Sequence, residues 1–320
     1  MSSAPAIVVT QLAKQFGQVR AVDGLSFEVK PSEIFGLVGP DGAGKTTTMR
    51  MLAGVLVPDS GTATVAGFDV GRDPESAKHH LSYMPQRFGL YEDLTIDENI
   101  RFYADLFGVR KAERESRGAN LLKAAGLAEF RGRLAGKLSG GMKQKLGLIC
   151  ALIHRPKVVL LDEPTNGVDP VSRRDFWAIL YSLLDEGVAI LASTSYLDEA
   201  ERCHRVGLIH QGKMLFCDTP PELKRKFPGV VLSLRTPAAG DAMHALATVP
   251  GVRSSVLVGD SIHVFVQDGE ERPAQVRAEL EKRGIQVDVI EPMTPSIEDL
   301  FVSAVERDAT AGAGAAEKPA

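Results

Sequence analysis

The stretch Gly39-Pro40-Asp41-Gly42-Ala43-Gly44-Lys45-Thr46, with Thr47 behind it, fits the pattern G-x-x-x-x-G-K-[ST]. It follows the apolar run "EIFGLVG" and opens a helix expected from about Lys45 to near Gly54. Phosphate chemistry needs that arrangement. Glycines let the backbone wrap closely around phosphates, and a helix N-terminus offers unpaired N–H groups. Lys45 neutralises phosphate charge, and the Thr46 hydroxyl can ligate Mg²⁺. A plain glycine turn before a helix would explain the glycines and leave Lys45-Thr46 without a reason.

A second run, "KVVLLDEP", delivers Asp162 and Glu163 at the end of an apolar strand. A carboxylate there packs poorly, but it can hold Mg²⁺ beside a phosphate loop. Glu163 next to it can orient or deprotonate an attacking water. Taken alone the pair could be a solvated turn; beside the phosphate loop it reads as chemistry. The third feature is "KLSGGMKQKL". Ser139 is a good N-cap, Gly140 and Gly141 keep the backbone accessible, and a long apolar helix from Met142 onward turns its positive end toward an anion.

The elements that must position these residues follow from periodicity. The first seventy residues read as short strands broken by turns, and residues 87 to about 155 as helices. From Lys157 strands and helices alternate: "KVVLLDEP", a helix over "SRRDFWAILYSLLDEG", the strand "VAILA", then "VGLIH" and "KMLFCD" joined by Gln211-Gly212. Alternation argues a mostly parallel sheet with helices on its faces, so the helical block is an insertion into an α/β core. A composition shift at "DTPPELKRKFPG" marks a boundary, beyond which "VVLSLR", "SSVLVGDSIHVFVQ", a helix over "RPAQVRAELEKRG" and "IQVDVIEP" suit a small α+β module. The closing "ATAGAGAAEKPA" is low-complexity and expected to be disordered.

Bulk properties narrow the function classes. The chain has 320 residues, 44% hydrophobic, with a net charge of -4. That charge excludes a generic basic nucleic-acid footprint. Three scattered cysteines, Cys150, Cys203 and Cys217, lack metal spacing and read as reduced thiols. No apolar run approaches the ~20 residues that span a bilayer, and the start lacks the regions of a secretory signal. A membrane role is therefore expected to come through a partner.

With "LSGGM" beside the other two motifs, the chain resembles the nucleotide-binding subunit of an ATP-binding cassette transporter, over roughly residues 4 to 220. The resemblance implies a P-loop NTPase (RecA-like) core with an antiparallel β subdomain and an inserted α-helical subdomain, plus the C-terminal module. The expected domains are 4–227 for the cassette, 228–306 for the module and 307–320 for the tail. Phe16 matches the aromatic that stacks on adenine, a core phenylalanine being the alternative. Gln86, in "YMPQ", matches the glutamine that touches Mg²⁺ and the nucleophilic water, and the segment after it would line a groove for a membrane partner. Asp169, in "NGVDP", matches the acidic residue of a loop at the dimer interface. Two cassettes of this family pair head to tail, so each ATP lies between the phosphate loop of one and the Ser139 to Met142 loop of the other. The implied partners are membrane permease subunits and a second cassette, either an identical chain or a different one. The implied place is the cytoplasmic face of the plasma membrane.

Two positions depart from the family pattern. Asp41 replaces the more usual asparagine. Ser193-Thr194-Ser195 stands where Ser-Thr-His is typical, and serine is too short to reach a γ-phosphate without a bridging water. Loss of one preorganised donor costs roughly 3 kcal/mol, about a hundredfold in rate, by analogy with acyl transfer. This chain's own site is thus expected to bind ATP and hydrolyse it slowly, unless a water or neighbour substitutes in a homodimer.

Details such as "STSYLDEAER" and "TPSIEDLFVSAVER" resemble the branch serving drug, antibiotic or polysaccharide exporters. A cassette ATPase acting on ribosomes or nucleic acid, and a mainly regulatory nucleotide-binding subunit, are the alternatives.

Overall fold

The computed structural model describes residues 4–227, 229–266 and 272–305; the expected tail at 307–320 lies outside them. The chain divides into two compact units, one up to Thr219 and one from Pro220 onward. In chain order the first holds β1 (Ile7–Phe16), β2 (Val19–Val29), β3 (Ile34–Val38), α1 (Lys45–Leu52), β4 (Ser60–Val65), β5 (Phe68–Asp69), α2 (Pro74–Lys78) and β6 (Leu81–Met84). There follow α3 (Ile96–Leu106), α4 (Lys111–Ala124), α5 (Gly140–Leu152), β7 (Val158–Asp162), α6 (Pro170–Leu184), β8 (Ala189–Thr194), α7 (Leu197–Ala200), β9 (Arg205–His210) and β10 (Lys213–Asp218). The second unit holds α8 (Pro220–Arg225), β11 (Val230–Arg235), α9 (Ala239–Leu246), β12 (Val252–Val258), β13 (Ser261–Val266), α10 (Arg272–Lys282) and β14 (Val289–Met293).

Two sheets build the first unit. One is antiparallel, in the order β2-β1-β4-β5. The other has the order β10-β9-β3-β8-β7-β6, parallel from β9 to β6 with only β10 reversed. Every residue of β3, β7 and β8 is buried. That explains their unbroken apolar runs, since a parallel sheet covered on both faces has no polar side to alternate with. The register sets Val38 beside Thr194, Asp162 beside Ser193 and Met84 beside Leu161. The carboxyl ends of β3, β8, β7 and β6 therefore share one edge, where open α/β sheets present ligand sites.

Between β6 and β7 the chain is helical. α3 starts on a capping box in which Thr95 and Glu98 satisfy each other's backbone N–H groups. α5 begins on Ser139, whose hydroxyl accepts from the Met142 N–H.

The second unit is an antiparallel sheet, β12-β13-β11-β14, with α9 and α10 packed on one face through Leu232, Leu234, Val264, Leu246 and Leu280. α9 is not among the elements expected from the sequence. Gly240 lowers its helix propensity and Ala238 supplies no capping side chain, so the helix depends on burying Ala242, Ala245 and Leu246 against the sheet. The strand expected over "IQVDVIEP" begins only at Val289 and lies at the sheet edge, where Pro292 is tolerated; Ile285 and Val287 pack into the core ahead of it.

Candidate active site

The phosphate loop leaves β3 at Val38 and runs into α1. Gly44 sits at φ 104°, and a Cβ there would lie 2.3 Å from the Ala21 carbonyl oxygen, so only glycine fits. No side chain caps the N-terminus of α1, which leaves its first N–H groups for an anion. Lys45 is buried, and its Nζ donates to the carbonyls of Gly39 at 2.7 Å and Pro40 at 3.0 Å. The loop is also held from outside: the Ala43 carbonyl accepts from the Gly212 N–H at 3.0 Å, and the Gly212 carbonyl accepts from Asp23 at 2.9 Å. The turn between β9 and β10 thus fastens the loop, a role its spacing did not announce.

Above the loop lies a cavity of about 450 Å³, lined by Val19, Ala21, Asp41 to Thr47, Gln86 and Glu163. Asp41 is exposed on its rim. Val19 and Ala21 come from β2 and had no motif to mark them.

Asp162 and Glu163 reach the same place from β7 with different partners. Asp162 Oδ1 accepts from Thr46 Oγ1 at 3.0 Å and Ser193 Oγ at 2.8 Å, and Oδ2 accepts from Tyr83 Oη at 3.3 Å. Glu163, at φ 49°, pairs through Oε1 with Lys45 Nζ at 2.9 Å. Its Oε2 accepts from Gln86 Nε2 at 3.4 Å and Asn166 Nδ2 at 3.3 Å. Ser195 Oγ lies 3.4 Å from Glu163 Oε1, so the position after β8 touches the candidate base directly. Burial, with the Asp162 charge beside it, pushes the Tyr83 phenol up to about 12; it is a donor at any neutral pH.

Asp162 could not be linked to Tyr83 from sequence, since 79 positions separate them; Asn166 is three residues from Glu163 and is missed because no motif marks it. The donor set suits the expected ligands. Thr46 Oγ1 and Asp162 Oδ1 are hard oxygens of the kind that hold Mg²⁺, with the Gln86 amide close by. Lys45 and the open end of α1 suit phosphates.

The remaining expected site residues lie elsewhere in this unit. Ser139, Gly140, Gly141 and Met142 do not line the cavity. Gly141 sits instead against the start of α6: a Cβ on it would lie 2.4 Å from Ser172 Oγ and 3.5 Å from Asp169 Oδ2. Gly140 does stand in open space, but Gly141 is a glycine because α6 is too close for a side chain. Asp169 N-caps α6, accepting from Val171 at 3.1 Å and Ser172 at 2.9 Å. Those Ser172 hydrogen bonds hold its carboxyl below the usual range. Phe16, at the end of β1, is 50% exposed, which rules out a core phenylalanine, and Lys14 Nζ stands 5.7 Å from its ring centre.

Residues 22–166 match the ABC transporter family model, and residues 219–305 match the C-terminal domain of ATP-binding protein DrrA1-3-like. The linearmycin resistance ATP-binding protein LnrL of Bacillus subtilis is 31% identical over 306 residues, 92% of this chain and 97% of that protein. The chain belongs to the ABC transporter family. Among its relatives the probable multidrug ABC transporter ATP-binding protein YbhF of Escherichia coli is 46% identical over 301 residues, 93% of this chain. The chain spans about half the length of that relative, 50%. A solved ATP-binding subunit of an ABC transporter superposes with a TM-score of 0.64 at 30% identity, covering 69% of this chain and 93% of that one. The ABC cassette fold is thus a P-loop NTPase core with its antiparallel and helical additions, followed here by the small module. None of the described helices is long and apolar enough to cross a membrane.

Proposed function

We propose that the chain binds ATP in the cavity above Lys45, hydrolyses it within a head-to-tail pair of cassettes, and so drives a separate membrane subunit that exports drug, antibiotic, lipid or polysaccharide-like cargo. The observation that carries this is the meeting of Lys45, Thr46, Asp162, Glu163 and Gln86 at one edge of the parallel sheet. The names of the relatives, multidrug transport for YbhF and linearmycin resistance for LnrL, support export over action on ribosomes or nucleic acid.

The residues divide the work. Phosphates take the N–H groups of α1 and the Lys45 ammonium. A phosphate at Lys45 competes with Glu163 for the same cation, which frees the carboxylate to accept a proton from water. Gln86 and Asn166 hold the other Glu163 oxygen and keep it aimed. Mg²⁺, held by Thr46, Asp162 and Gln86, would neutralise charge on the phosphates. Phe16, exposed near the start of β2, would stack on the base. Ser139 to Met142 and Asp169 lie outside the cavity, with Gly141 close to Asp169, and would serve a second cassette's site. An apolar groove of about 280 Å³ lined by Val55, Phe88, Tyr103, Leu106 and Phe107 would seat the membrane subunit and supports a peripheral position on the cytoplasmic face of the plasma membrane.

Ser195 is the weak point of the set. Its hydroxyl reaches Glu163 and is too short to reach a terminal phosphate, so the purified chain should turn ATP over slowly and Ser195→His should raise the rate by roughly tenfold or more, toward the scale of a lost preorganised donor. Robust wild-type turnover that the substitution leaves unchanged would overturn the slow-site reading. Failure to bind ATP at all, with Lys45→Ala behaving like wild type, would overturn the whole.

A further inference from the structure

One side chain that lines the apolar groove of the first unit, Tyr83, is also hydrogen-bonded to Asp162, the carboxylate that accepts from Thr46 of the phosphate loop. It lies on β6, the edge strand of the six-stranded sheet. Tyr83 lines the groove with Phe88, Tyr103 and Phe107, and its hydroxyl donates to Asp162 Oδ2 at 3.3 Å. The other Asp162 oxygen is already taken by Thr46 and Ser193. Among the described residues Tyr83 is thus the side chain hydrogen-bonded to the second oxygen. Three residues further on, Gln86 Nε2 reaches Glu163 Oε2. A stretch of four residues that borders the groove therefore touches both carboxylates of the site.

We propose that Tyr83 is a positioning residue coupling the groove to Asp162, so that a body seated in the groove re-aims the carboxylate and nucleotide loading is felt in the groove in return. The proposal rests on the ATP reading above. Its physical content is a rigid ring with two ends. Displacing the ring by an occupant lengthens or shortens the hydroxyl contact to Asp162, and a change at Asp162 moves the ring. Thermodynamic linkage makes the effect equal in both directions for binding free energies.

Tyr83→Phe in the full chain tests this, because it deletes one oxygen and keeps the groove wall. Binding of trinitrophenyl-ATP is measured in EDTA and in excess Mg²⁺, and hydrogen exchange is followed at residues 81–84 and 102–107 with and without Mg²⁺ and ATP. The Phe variant should match wild type in EDTA, lose roughly 5- to 20-fold of the Mg²⁺-dependent gain in affinity, and lose the nucleotide-dependent exchange change at 102–107. Ser193→Ala, which removes a donor from the opposite Asp162 oxygen, should lower the Mg²⁺-dependent gain and keep the exchange response at 102–107. That contrast separates coupling through Tyr83 from general weakening of Asp162. A Phe variant that keeps both the gain and the response overturns the proposal, as does a wild-type chain that binds nucleotide with no response in the groove. A wild-type chain that binds no nucleotide overturns the ATP reading as well, and is recognised by its flat binding curve.

Discussion

Lys45 and Glu163 form an ion pair whose side chains are 4% and 9% exposed. Buried pairs contribute little net stability, because desolvation of both charges offsets their attraction. Here the pair sits on the wall of the cavity, and the proposed chemistry accounts for its placement: one partner would meet the phosphate and the other the water. Glu163→Gln keeps the shape and the neighbours Gln86 and Asn166 but cannot accept the proton. Lys45 retains the Gly39 and Pro40 carbonyls, so the fold should persist. Turnover should fall by about a hundredfold or more with ATP affinity preserved, read by single-turnover hydrolysis beside direct nucleotide binding. A Gln variant as fast as wild type would remove Glu163 from the reaction.

At the scale of elements, the start of α5 and the start of α6 are fixed against each other by the absence of one side chain. Gly141 faces Ser172, and an added Cβ would lie 2.4 Å from both Ser172 Cβ and Oγ. Intrinsic propensity favours alanine over glycine in a helix by about 1 kcal/mol, so the sign of Gly141→Ala reports which effect wins. Crowding of a packed contact costs about 1–3 kcal/mol, and the variant should be destabilised in urea. Ser172→Gly in the same chain should recover the loss, which a propensity effect could not do. A neutral or stabilising Gly141→Ala would show that the two helices separate freely.

At the scale of the molecule, two units with separate cores make a single unfolding transition an unsafe description. In the second unit His263 is buried, with Nδ1 2.8 Å from Asp299 Oδ1. Asp299 Oδ2 accepts from the Ser296 N–H and hydroxyl, both at 2.7 Å. His263 is therefore a packed residue, and it ties β13 to the helical stretch at 297–305. Asp299→Ala strands these donors at a cost of about 2 kcal/mol, which for a unit of about 100 residues lowers its midpoint by roughly 10 °C. Calorimetry should show that shift in one transition, with the nucleotide-stabilised transition of the first unit unmoved. Equal movement of both would mean that the units unfold together.

Local order was legible wherever a contact is short in sequence or a motif is contiguous. The phosphate loop, the strand ends carrying Asp162 and Ser195, the Ser139 cap and the turn at Gln211-Gly212 are each specified by neighbours along the chain, because backbone conformation and capping act over a few residues. Tertiary structure alone decided that Tyr83 holds Asp162, that Lys45 pairs with Glu163, that Gly212 braces Ala43, that Gly141 yields to Ser172, and that α9 forms at all. Those outcomes depend on which strands lie side by side and how closely helices cross. Side-chain packing sets both across separations of tens to more than a hundred residues, and no local pattern encodes them.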